Sequence, residues 1–269
     1  MQGLELTLEA DIVLLKERVA IITGSSRGIG RSIADNFARE GAHIVLNGRE
    51  TSEGQLEAMA KEIESFGVEV AIVRGDVGEA QTAERLCTHT LEKFGKIDIL
   101  VNNAGVSPMA TIEEITEEQW DEVIRINLKS TFLCSKMVLP HMKKRGSGVI
   151  LNISSGSGKS GGVGAHYAAS KGGINTFTRS LAFEGAPYGI RANAISPGPI
   201  ETEMADGIFT AERKRTLSSI IPLGRLGDSQ DIADAAIFLC SDKASFITGE
   251  ILEVDGGLLF YKPLSYFKH

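Results

Sequence analysis

The feature that most limits how this chain can fold is an alternation repeated along its 269 residues. Short apolar runs, rich in β-branched residues and too short for helices, take turns with longer segments of helical period. The runs are Arg18–Thr23, His43–Asn47, Glu69–Arg74, Ile97–Val101, Gly148–Ile153, Ile190–Ile195 and Ile251–Val254. Between them the spacing predicts helices over Ile29–Glu40, Ser52–Phe66, Glu79–Phe94, Thr116–Ile126, Lys129–Lys144, Ala165–Ala186 and Asp228–Cys240. Strands this uniformly apolar are covered on both faces, as in a parallel sheet with crossover helices above and below it. The sequence therefore reads as α/β: one doubly wound parallel sheet of about seven strands, with helices on both faces. No Pro/Gly/Ser linker divides it. Residues 16–269 read as one nucleotide-binding and catalytic unit behind a leader, residues 1–15, of unknown role. Residues 199–219 lie between a glycine-proline turn and the last helix and read as a mobile substrate lid.

Charge and composition exclude several function classes. The net charge of −7 and the absence of a long charge block argue against nucleic acid as a partner. No apolar run reaches the length of a membrane span. The acidic start, with Glu5, Glu9 and Asp11, is unlike a signal peptide. The expectation is a soluble, cytoplasmic protein. Cys87, Cys134 and Cys240 sit among apolar neighbours and read as buried small hydrophobes, with no spacing that suits a metal.

After the first strand comes Thr23-Gly24-Ser25-Ser26-Arg27-Gly28-Ile29-Gly30. The glycine spacing, G-x3-G-x-G, differs from the standard dinucleotide fingerprint, but the physics is shared. Small residues let backbone approach a pyrophosphate, and the helix that follows offers it free N–H groups. The end of the second strand tests which cofactor fits. An acidic residue there suits the ribose of NAD. This chain has Asn47-Gly48-Arg49-Glu50 instead. Arg49 and Arg27 suit a 2′-phosphate through forked, charge-assisted contacts. The expectation is NADP(H), while Glu50 keeps NAD open.

Tyr167 and Lys171 are four residues apart on a helical segment and so share a face. A nearby ammonium favours the phenolate, so the expectation is a lowered tyrosine pKa and proton exchange with a carbonyl or alcohol oxygen. Tyr-x3-Lys alone is a weak signal. Upstream, the fifth strand ends in Ser154-Ser155-Gly156, and its carboxyl end is where open α/β sheets bind ligands.

Together these motifs resemble the short-chain dehydrogenase/reductase family, over about residues 16–258. The matches are the glycine loop, Asp76-Val77, Asn102-Asn103-Ala104-Gly105, Asn127, Ser154/Ser155, Tyr167-x3-Lys171, and Pro197-Gly198 with Thr202. The resemblance implies a Rossmann-type fold and a role for each position. Tyr167 would be the acid/base, Lys171 its tuner and a ribose ligand, and Asn127 the holder of a water in a proton relay. A serine would polarise the substrate carbonyl. Ser155 is preferred because the strand fixes its geometry; Ser154, thirteen residues before the tyrosine, competes. Asp76 and Val77 would flank the adenine. Asn103, Ala104 and Gly105 would line the cofactor's path. Pro197, Gly198, Ile200 and Thr202 would hold its nicotinamide end.

Pro222–Gly227, Arg191–Gly198 and Val254-Asp255-Gly256-Gly257 resemble the 3-oxoacyl-[acyl-carrier-protein] reductase branch. That implies reduction of a 3-oxoacyl thioester, with an acyl carrier protein as partner. Sugar, polyol and steroid dehydrogenases share the same tail, and a non-catalytic nucleotide sensor is a remote alternative. Arg125, Lys129 and Arg179 could face an acidic carrier or simply be solvated helix charges. The resemblance also implies a homotetramer built on the helices after strands four and five, with the C-terminal Phe260–Leu264 packing on a neighbour.

Overall fold

The computed structural model describes residues 13–162, 164–202 and 209–259. Seven strands form one sheet: β1 (Val19–Ile22), β2 (His43–Gly48), β3 (Val70–Arg74), β4 (Ile99–Asn102), β5 (Gly148–Ile153), β6 (Ile190–Pro197) and β7 (Ile251–Val254). Their order is β3-β2-β1-β4-β5-β6-β7, and every pairing is parallel. The chain thus winds outward from β1, returns, and winds the other way from β4. The crevice beyond the carboxyl ends of β1 and β4 is the switch point, where sheets of this kind bind ligands.

The helices are α1 (Gly28–Arg39), α2 (Glu53–Glu64), α3 (Ala80–Phe94), α4 (Glu117–Val123), α5 (Ser130–Arg145), the short α6 (Ser157–Ser160), α7 (Ala165–Gly185), α8 (Ala211–Ile220) and α9 (Ser229–Cys240). Two apolar layers sandwich the sheet. On one face Ile33 and Phe37 of α1, Leu56 and Met59 of α2 and Leu239 of α9 pack together. On the other, Leu86 of α3, Leu133 and Met142 of α5 and Leu181 of α7 do the same. Strands β1, β4 and β5 are buried along their whole length, while the edge strand β7 is only partly covered. This is why the central runs lack the polar alternation of a half-exposed sheet.

Several expectations shift. Leu15 is fully buried in the first layer and the Leu14 N–H bonds to the Glu40 carboxylate, so the body starts before residue 16. Residues 1–12 lie outside the described residues. Part of the expected lid is α8, capped by the Thr210 hydroxyl accepting from Arg213 N–H; residues 203–208 lie outside the described residues. The expected break between the helices around residue 128 is a π-helical segment, Ile124–Lys129, that joins α4 to α5. Cys87, Cys134 and Cys240 are buried and free. Among the described residues no helix is long and apolar enough to cross a membrane, and no cluster of residues suits a metal ion.

Candidate active site

The glycine loop lies across the carboxyl end of β1, and its shape is dictated by close contacts. Gly24 and Gly28 have φ of +63° and +56°, which side chains rarely tolerate. A Cβ on Gly30 would come within 2.4 Å of both the Asn103 amide and Gly24 O. Asn103 explains the crowding: its side-chain amide donates to Thr23 O and Gly24 O, each at 3.0 Å, and its backbone N–H donates to the Thr23 hydroxyl. Ser25 is buried, and its hydroxyl donates to Asn47 O and accepts from Asn47 N–H. The Asn47 side chain in turn accepts from Gly24 N–H and donates to Val73 O and Gly75 O. Both side chains therefore brace β1, β2 and β3, and of the two Asn47 also lines the cavity described next. Ser26 and Arg27 face a cavity of about 1400 Å³ that runs the length of the switch point.

The first turn of α1 opens on this cavity with no side-chain cap and no acidic residue. Its free N–H groups fit a pyrophosphate. Arg27 and Arg49, both exposed, stand on the same wall, while Glu50 does not line it. Asp76 lies beyond them with Val77. Burial pushes the Asp76 carboxyl up, but hydrogen bonds from Arg125 (2.8 Å) and Gly78 N–H (2.8 Å) outweigh this and hold it below its ordinary value. Arg125 is itself enclosed by Asp76, Glu79 and Glu122. It is committed inside the chain and does not present a free charge to an acidic carrier.

At the other end, α7 places Tyr167 in its first turn and Lys171 one turn later. The Tyr167 hydroxyl is hydrogen-bonded to Ser155 and to Ser107. Burial pushes its pKa up, and these two hydroxyls pull only part of the way back. This corrects the expectation of a phenol depressed by Lys171. The Lys171 ammonium donates to Ile153 O at 2.7 Å and lies 5.7 Å from the Tyr167 ring centre. Burial pushes Lys171 down to about 8.

The two serines of β5's end part company. Both line the cavity, but only the Ser155 hydroxyl is paired with Tyr167. The Ser154 hydroxyl is 3% exposed and bonds inward to Asn175 Oδ1 at 2.6 Å and to Lys171 O at 3.2 Å. Asn127, at the centre of the π segment, is fully buried and does not line the cavity. Its Oδ1 accepts from Val106 N–H at 2.8 Å, and its amide donates to Val106 O and the Ser170 hydroxyl, each at 3.0 Å. It thereby ties the loop after β4, which carries Ser107, to the turn of α7 between Tyr167 and Lys171. Ala104, Gly105, Pro197, Gly198, Ile200 and Thr202 complete the wall between the two ends.

The sequence motifs did not include Ser107. Its signal is position: a hydroxyl five residues past the last residue of β4, at the carboxyl edge of the switch point. The apolar far wall of Met109, Leu217, Leu258 and Leu259 was also missed, because those residues come from loops and α8 rather than from a motif.

A nucleotide cradle at the switch point and a half-buried tyrosine with a buried lysine at its far end define an oxidoreductase site of one family. The chain belongs to the short-chain dehydrogenases/reductases. A family profile described as Enoyl-(Acyl carrier protein) reductase matches residues 24–259. The 3-oxoacyl-[acyl-carrier-protein] reductase FabG of Staphylococcus aureus is 40% identical over 240 residues, which are 89% of this chain and 97% of the relative. A putative short-chain alcohol dehydrogenase from Sinorhizobium meliloti superposes with a TM-score of 0.88 at 36% identity, over 93% of this chain and all of the other. A gluconate 5-dehydrogenase from Burkholderia cenocepacia, solved with NADP and tartrate, gives 0.88 at 35% identity, over 94% and 99%. The chain is an oxidoreductase acting on CH–OH/C=O groups and binds a nicotinamide cofactor.

Proposed function

We propose that this chain is an NADP(H)-dependent reductase of 3-oxoacyl thioesters, giving the 3-hydroxyacyl thioester, in the cytoplasm and as a homotetramer. The observation that carries the reading is the Ser155–Tyr167 hydroxyl pair above a buried Lys171, on a cavity whose far wall is apolar. The 40% identity to FabG supports the thioester as substrate and acyl carrier protein as its source. Preference for NADP(H) rests on Arg27 and Arg49 lining the cavity where no β2-end carboxylate does. The tetramer rests on family resemblance, and the compartment on the composition of the sequence. The gluconate 5-dehydrogenase neighbour supports a second reading, a polyhydroxy acid as substrate.

The cofactor would be held by the uncapped start of α1, by Ser26 and Arg27, and by Arg49 at its ribose. Asp76 and Val77 would flank the adenine, and Lys171 would lie near the second ribose. When bound it supplies a hydride to the carbonyl carbon; the protein supplies the proton and the geometry. Ser155 donates a hydrogen bond to the substrate oxygen and holds it facing Tyr167. The Tyr167 hydroxyl then gives its proton to that oxygen as negative charge develops there. Lys171 stabilises the resulting phenolate across the short gap between ammonium and ring. Ser107 donates to the same phenolate. Asn127 keeps Ser107 and Tyr167 in register by fastening the loop to the helix.

The test is oxidation of NADPH and NADH, followed by absorbance, with acetoacetyl thioesters and 5-ketogluconate side by side. Turnover of the thioester with NADPH at higher kcat/KM than any other pairing is the expected result. Faster turnover of the keto acid overturns the thioester reading, and an NADH preference overturns the cofactor reading.

A further inference from the structure

The charges on the cavity wall are not balanced. The wall's carboxylates all have partners within the chain. Asp76 and Glu122 are held by Arg125. Asp255 accepts from Gly257 N–H and Leu259 N–H, both at 2.8 Å. Glu118 is hydrogen-bonded to Thr116. The wall's exposed cations are left over: Arg27 and Arg49 at the end assigned to the nucleotide, and Arg213 at the opposite end, on α8.

Arg213 differs from the cations around it. Lys214, next in sequence, pairs with Glu201 at 2.7 Å. Lys159 pairs with Glu253, and Arg225 with Asp231. Arg213 makes no ion pair among the described residues and is the member of this group that lines the cavity. Its guanidinium lies 6.0 Å from the centre of the Phe209 ring, which also lines the cavity. That contact restrains the head group while leaving its forked N–H donors free. Its backbone N–H is fixed by the Thr210 cap at 3.2 Å. The result is a guanidinium on the cavity wall, beside Phe209 and Leu217, with no ion pair among the described residues, where an anion would find a partner and a neutral chain would not.

We propose that Arg213 is a specificity-determining residue that binds an anionic oxygen group of the substrate, set several atoms from the carbonyl being reduced. The proposal rests on the active-site reading above and narrows the substrate to an anionic one. A carboxylate on a polyhydroxy keto acid and a phosphate on the pantetheine arm of a carrier thioester both supply this chemistry.

Two matched substrate pairs separate the sources. Acetoacetyl-coenzyme A carries phosphate, and acetoacetyl-N-acetylcysteamine presents the same thioester without it. 5-Ketogluconate carries a carboxylate, and fructose is a neutral hydroxyketone. In R213Q, kcat/KM on the anionic member of the accepted pair should fall about 10- to 100-fold, mostly through KM, as expected for one charged hydrogen-bonded contact. The neutral member should change by less than about twofold, and R213K should recover part of the loss. Equal losses on both members, or no loss on either, overturn the proposal. Turnover of the keto-acid pair alone would sink the thioester reading while Arg213 is still judged on that pair. If the wild type turns over none of the four, calorimetric titration with coenzyme A and with gluconate decides: affinity that is equal in wild type and R213Q, or absent from both, overturns it.

Discussion

Alanine at Ser155 and alanine at Ser154 remove the same hydroxyl from adjacent residues, yet the structure assigns the two losses to different observables. Ser154 is 3% exposed, and its oxygen serves Asn175 and the backbone of Lys171. The single hydroxyl proton goes mainly to Asn175 Oδ1, the nearer acceptor, and one such bond is worth about 1 kcal/mol net, so Ser154→Ala should cost about 1 kcal/mol of stability. For a chain of this size that is a fall in Tm of about 2–4 °C. Turnover should stay within a few-fold, because Ser154 touches no reacting atom. Ser155 bonds to the Tyr167 hydroxyl on the cavity wall. Loss of a donor aimed at developing oxyanion charge costs about 10²- to 10³-fold in kcat. The Tm of Ser155→Ala should fall by no more than about 2–4 °C, since the one framework bond its hydroxyl makes is from Ser157 N–H at 3.2 Å. The assay is a steady-state comparison of both variants with NADPH and acetoacetyl thioester, beside thermal unfolding of the same preparations. Lost turnover in Ser154→Ala with normal turnover in Ser155→Ala would refute the reasoning, whatever the melting temperatures.

Arg49→Gln should lower kcat/KM for NADPH about tenfold and leave NADH unchanged; an unaltered cofactor ratio counts against Arg49 as the phosphate ligand. Ser107→Ala removes one of the two hydroxyls that pull the Tyr167 pKa down, so the group's inflection in a pH profile of alcohol oxidation should move to higher pH, with kcat reduced several-fold. Stability should respond to pH through Lys171. Its pKa falls to about 8 in the folded chain from an ordinary 10.5, so the unfolded chain binds more protons between those values. Burial therefore costs about 3 kcal/mol below pH 8, and that cost fades as pH rises towards 10.5. Denaturant titrations of wild type and Lys171→Met should diverge in this sense: the wild type gains stability relative to the variant from pH 7 to 10. Parallel curves would show that Lys171 is charged to the same extent folded and unfolded.

Much of the architecture was legible because it rests on periodicity. All seven apolar runs became strands within two residues of their expected ends, since a strand buried on both faces leaves an unbroken apolar signature. The glycine loop was legible for a similar reason: G-x3-G-x-G records two backbone conformations and one close approach. What the sequence concealed is how polar side chains are shared. Ser25 looks like a cofactor ligand by position, but its hydroxyl is used by Asn47 of the neighbouring strand; Asn47 lines the cavity while its amide also serves the strands beneath. Arg125 looks like a free surface charge, and three carboxylates surround it. The net direction of the Tyr167 shift was misjudged from spacing, because four residues fix a shared face but not how deeply the phenol is buried. Helix α8, within the stretch expected to be a lid, was hidden by its charged, weakly periodic sequence, Ala211–Ile220, which has no buried residue to mark an inner side.

The π-helical turn at Ile124–Lys129 makes this site intolerant of length changes rather than of substitutions. One residue fewer would let α4 and α5 run on as a single regular helix, a locally better-bonded arrangement. It would also rotate everything on one side of the deletion by about 100° relative to the other, the angle each residue subtends in an α-helix. Asn127 would leave Val106 and Ser170, or the apolar face of α5 would leave the sheet; both cannot be kept. A screen of single-residue deletions along Glu117–Arg145 should therefore find no position in the π turn where loss of a residue is harmless, even where alanine is accepted.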